Sequence, residues 1–100
     1  MDEHVVKIYG RLSAGYGTEE ERGQVRQLEH EIDDTLKSLS LGECDGDEFG
    51  NGAFFIFLFG GDATSISNAI LPCLKKSGLI ITKLVKRYGK PGAPEEVVYL

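Results

Sequence analysis

Four carboxylates crowd the segment Glu43-Cys44-Asp45-Gly46-Asp47-Glu48. So many oxygens in a short span could hold a divalent cation or supply an acid–base pair. A calcium loop of the EF-hand kind needs oxygen ligands at positions 1, 3, 5 and 12 and a glycine at position 6. Counted from Asp45, Asp47 and Gly50 fit, but Phe49 and Ile56 fall at the fifth and twelfth positions and cannot ligate. No metal site is expected. Asp45 and Asp47 are two apart and would share one face of a strand. Nothing beside them supplies a nucleophile or a pocket, so no catalytic residue is assigned. The four acids read instead as an acidic rim on an edge strand, where charge discourages pairing with other chains.

The remaining chemistry-bearing residues are isolated. His30 lies between Glu29 and Glu31 on the polar side of a predicted helix and reads as a solvated partner of a carboxylate. His4 opens the first strand, and no HxH or HxxxH spacing for zinc occurs. Cys44 and Cys73 form no CxxC motif and suit two free thiols in a reducing cytoplasm. Gly15-Tyr16-Gly17-Thr18 precedes a helix, as phosphate loops do, but lacks the lysine and spacing of a P-loop. Glu19, Glu20 and Glu21 would also repel a phosphate. Gly60-Gly61-Asp62 fails similarly, because Asp62 already occupies a helix start. No cofactor is expected.

These residues must be positioned by one small domain. The 100 residues are 41% apolar and 27% charged, the balance of an ordinary globular chain. Residues 1–50 hold 13 acids and 5 bases, and residues 51–100 hold 3 acids and 6 bases. That asymmetry suits a solvated surface and could steer a basic partner to the acidic side. Glu3, Lys7 and Arg11 interrupt the N-terminal segment, so no signal-peptide core is expected there. The apolar runs are also far too short to span a membrane.

Alternation over residues 4–12 predicts a strand with Val6, Ile8 and Leu12 inward. Thr18 with Glu21 forms a capping-box signature, and Val25, Leu28, Ile32, Leu36 and Leu39 recur at helical spacing. A helix is predicted over about 19–38, with Arg22, Arg26, Glu29, His30 and Asp33 on its outer side. Residues 41–49 form a poor, charged strand, and Gly50-Asn51-Gly52 turns it into the run Ala53-Phe54-Phe55-Ile56-Phe57-Leu58-Phe59. Asp62 caps a second helix, in which Pro72 predicts a kink or early end. Residues 79–88 form another strand, and residues 97–100 suit a short extra one.

The predicted order β-α-β-β-α-β is that of a ferredoxin-like two-layer α+β sandwich. It has an antiparallel sheet, two helices on one face and room for an extra C-terminal strand. The order resembles that of RNA-recognition motif domains, and Gly52-Ala53-Phe54-Phe55-Ile56 is similar to part of their RNP1 pattern. In that resemblance Phe55 is the stacking ring and Tyr9 a second platform. However, Asn51 stands where a base is expected and Ala53 where the first ring is expected. With a net charge of −5 as well, nucleic acid is the least favoured partner. The glycine and acid pattern over 42–50, Gly60-Gly61-Asp62-Ala63 and Arg87-Tyr88-Gly89 also resembles small uncharacterised bacterial proteins of this plan, which implies a cytoplasmic protein.

The phenylalanine run is apolar on both sides. With Phe54, Ile56 and Leu58 inward, Phe55, Phe57 and Phe59 join Tyr9 and Arg11 on the open face. A patch of three exposed rings needs a cover. The expected cover is a second copy in a homodimer, with the chain's own segment 95–100 or another protein or ligand as the alternatives. The sequence therefore leads to a non-catalytic interaction or regulatory domain, of which an inhibitor- or immunity-like protein is one form, acting through an aromatic sheet face. A small-ligand module or a dimeric ferredoxin-like enzyme is the alternative.

Overall fold

The computed structural model describes residues 3–100. Seven elements follow in the order β1 (His4–Arg11), α1 (Glu19–Ser38), β2 (Gly42–Gly50), β3 (Ala53–Gly60), α2 (Ala63–Lys76), β4 (Ile80–Arg87) and β5 (Glu95–Tyr99). The five strands form one antiparallel sheet in the order β2-β3-β1-β4-β5. Val6 and Ile8 of β1, Phe54, Ile56 and Leu58 of β3 and Leu84 of β4 bury against Val25, Leu28, Ile32 and Leu36 of α1 and Ile66, Ile70 and Leu74 of α2. That single layer of contacts is the core, and among the described residues no element covers the other sheet face.

Local chemistry sets the ends of these elements. The Thr18 hydroxyl accepts from the Glu21 amide at 3.0 Å, and Glu21 Oε1 accepts from the Thr18 amide at 2.9 Å, which completes the capping box. Glu21 also accepts from the Ser13 amide and hydroxyl, tying the β1–α1 loop to the helix. Asn51 and Gly52 both take positive φ, 53° and 72°, as a tight hairpin with the right twist requires. α2 runs on to Lys76 past Pro72, so the expected early end does not occur. Pro72 and Asn68, whose carbonyl loses its helical donor, are both exposed, and water can replace the missing bond.

One expectation changes. Segment 95–100 does not fold over the open face. β5 pairs with β4 as a fifth strand, and the Leu100 amide donates to the Thr82 carbonyl at 3.1 Å. Apolar pairs across the ladder, Val85 with Val97 and Leu84 with Val98, favour widening the sheet over covering it. Asp45 and Asp47 both line the cleft between β2 and α1, as residues sharing a side of the strand would. The ladder slips between Cys44 and Gly46, so Asp45 sits in a bulge and Asp47 pairs with Ile56 on the helix side.

The phase of the two central strands rests on one contact. A Cβ placed on Gly10 would lie 2.0 Å from the Phe54 ring, so the fully buried ring occupies the space a side chain would need. Gly10→Ala is expected to destabilise the fold by about 1–3 kcal/mol, as overpacking does. Urea denaturation with an unchanged m-value would show this; an unchanged midpoint would mean that the ring moves aside freely.

Candidate functional site

The register of the ladders lays the open face out in rows. One row runs Glu95, Arg87, Val5, Phe59 and Glu43 from β5 to β2. The next runs Val97, Val85, Lys7, Phe57 and Gly46, and the third runs Tyr99, Lys83, Tyr9, Phe55 and Glu48. Arg11 follows Tyr9, flanked by Ile80 and Ala53. Tyr9, Arg11, Phe55, Phe57 and Phe59 therefore do share one face. Of the acidic rim, Glu43 and Glu48 flank Phe59 and Phe55 on this face, whereas Asp45 and Asp47 do not.

Phe55, Phe57 and Phe59 are half-buried rather than bare. The Lys7 ammonium stands 4.7 Å from the Phe55 centroid, 4.8 Å from Tyr9 and 5.2 Å from Phe57. The Lys83 ammonium lies 4.6 Å from the same Tyr9 ring. Tyr9 and Phe55 meet edge to face at 5.0 Å and 87°. Lysine stems thus cover part of each ring while their charges stay at the surface. Among the described residues, no carboxylate pairs with Lys7, Lys83 or Arg11. The centre of the face is cationic and aromatic, and its two edges carry the acids. Lys83 joins this face because the β1–β4 ladder pairs it with Tyr9, a register between distant strands that leaves no signal in the sequence. A shallow recess of ≈400 Å³ lies over β1, β4 and β5, with Val5 and Val85 in its floor.

On the helix side, an open cleft of ≈490 Å³ separates α1 from β2. Asp33 accepts from the Cys44 amide at 2.9 Å and pairs with Lys37 at 2.7 Å, anchoring the edge strand to the helix. Deeper in, Glu29 lies against Asp47 and accepts from the Cys44 thiol at 3.7 Å, with Arg26 3.9 Å from Asp47. Burial, then the hydrogen bond and negative charge of Asp47, push the Glu29 carboxyl up to about 8. Burial pushes the Cys44 thiol up to about 11, so at neutral pH it is no thiolate nucleophile. Glu29 reads as an outer-face residue in the sequence. Its spacing of four from both Val25 and Asp33, beside the apolar stripe, is the only signal of its position. His30 pairs with Asp34 at 3.5 Å on the exposed side, and His4 Nδ1 accepts from the Ala63 amide at 3.0 Å at the start of α2.

No protein-family model, curated protein or solved structure matches this chain.

The Glu29 proton gives a pH signature. The folded protein holds it up to about pH 8, whereas an unfolded chain releases it near the ordinary carboxyl value of 4.5. Between these values folding takes up a proton, so this group's contribution to stability falls as pH rises. Glu29→Gln keeps a neutral hydrogen-bonding side chain and is expected to match the wild type near pH 4.5 but exceed it at pH 8. Urea midpoints of both proteins at the two pH values check this; parallel pH profiles would disprove the shared proton.

Proposed function

We propose that this chain is a ferredoxin-like two-layer sandwich serving as a non-catalytic interaction domain, regulatory or inhibitor-like, that works through its open sheet face. The order β2-β3-β1-β4, with a helix after β1 and after β3, supports the split βαβ plan, and β5 is an added edge strand. The observation that carries the functional reading is the cluster of Tyr9, Phe55 and Phe57 under the Lys7 ammonium, with Lys83 beside it. Half-buried rings and unpaired cations at the middle of a flat surface are the composition of a contact site. No helix of the described residues is long and apolar enough to cross a membrane. Both cysteines are free, which suits a reducing compartment such as the cytoplasm.

The layout of charge favours a different protein over a second copy. A two-fold axis through the middle of the face sets Lys7 against its own counterpart. An axis along β1 also sets Arg11 on Arg11, and one across the strands sets Arg87 on Lys83 and Glu43 on Glu48. Like charges buried opposite one another oppose such a dimer. A partner that brings carboxylates to Lys7 and Lys83 and an apolar side chain to Phe57 meets the face without that cost.

Light scattering over a range of concentrations is expected to give a monomer mass. Affinity capture is expected to retain a partner that Phe57→Ser and Lys7→Glu each release, with unchanged circular dichroism. A dimer that Phe57→Ser dissociates would instead make the face self-complementary. Capture indifferent to both substitutions would move the contact elsewhere.

A further inference from the structure

We propose that the recess between Lys7 and Lys83 binds a small organic anion with a flat or hydrocarbon body. The inference shares one premise with the proposed function, that the open sheet face is the working face. It goes further in naming a ligand chemistry and a place.

Two ammonium groups, from neighbouring strands, converge on one ring. Lys7 and Lys83 lie 4.8 Å and 4.6 Å from the Tyr9 centroid, and neither meets a carboxylate among the described residues. Both lysines line the recess, and a ring quadrupole answers each charge only weakly. A carboxylate, sulfonate or phosphate entering the recess would accept charge-assisted hydrogen bonds from these ammonium groups. Below and beside that point the surface turns apolar: Val5 is 9% exposed, Val85 is half-buried, and Val97, 42% exposed, extends the same row. A volume of ≈400 Å³ falls within the range of about 300–1,000 Å³ usual for small-molecule sites.

The rim sets the orientation. Glu95 stands opposite Arg87 at the far end of the recess and would repel an anionic head there. Arg87 also spends one donor on the Gly89 carbonyl at 2.9 Å. The head is therefore held at the Lys7–Lys83 end, with the body lying along Val85 and Val97.

Titration of the ¹⁵N-labelled full chain with 1-naphthoate tests this, with 1-naphthylmethanol and acetate as neutral and headgroup-only controls. Saturable shifts are expected at the Val5, Lys7, Lys83 and Val85 amides, with binding about tenfold tighter for the naphthoate than for the alcohol. Lys83→Met and Lys7→Met, which keep apolar stems over Tyr9, are each expected to weaken naphthoate about tenfold and leave the alcohol unchanged. The amide spectrum reports that each variant is folded. No saturation in the millimolar range, equal binding of the alcohol, or indifference to both methionines would overturn the site. If naphthoate fails while protein capture still depends on Phe57, the ligand site falls and the interaction domain stands. If naphthoate binds and capture does not depend on Phe57, the reverse holds.

Discussion

The Phe54 ring rests where Gly10 has no side chain, and the rest of the sheet takes its phase from that contact. Side chains alternate along a strand, so fixing one inward residue fixes all of them. With Phe54 inward, Ile56 and Leu58 follow it into the core, and Phe55, Phe57 and Phe59 must face out. On β1 the same contact sets Val6 and Ile8 inward and Lys7, Tyr9 and Arg11 outward beside the rings. A slip of one residue would bury Lys7 under the helices and is excluded by the charge as well as by the glycine. The aromatic face is thus the obligatory reverse side of the core.

A chain with aromatic residues on both sides of a central strand must keep the second side from sticking to everything. Here lysines do this. Lys7 spans three rings and Lys83 caps a fourth contact, each covering apolar surface with its stem while its charge stays in water. The arrangement keeps the rings accessible, because displacing a lysine from a ring costs little when an anion takes the ammonium. The two edges are guarded differently. β2 carries Glu43 and Glu48 and a bulge, and β5 is short and begins with Glu95 and Glu96.

The helix side uses acid in the opposite sense. Asp33 and Glu29 lie toward β2 and hold the edge strand through the Cys44 amide and thiol. One of these carboxyls stays ionised and paired with Lys37, and the other keeps its proton because the cleft partly desolvates it and, secondarily, a second carboxylate faces it. The acidic half of the chain is therefore part structural attachment and part solvated surface, and the face that carries the rings is the basic one.

Local signals in the sequence determined most of the elements. The capping box and apolar stripe place α1 at Glu19–Ser38, Asn51-Gly52 places the hairpin, and alternation separates the inward and outward residues of β1, whereas β3 is apolar on both sides and takes its phase from Gly10. These signals are legible because each depends on residues within one or two turns or pleats of one another. What tertiary structure alone decided lies in pairings between distant segments. The bulge at Asp45 sends Asp47 beneath α1, the β1–β4 register sets Lys83 beside the Tyr9 ring, and β5 widens the sheet instead of covering it. Glu29 reads as a surface residue until β2 packs on it and removes its water. Register and burial depend on what lies across the ladder or against the helix, and no spacing along the chain encodes that.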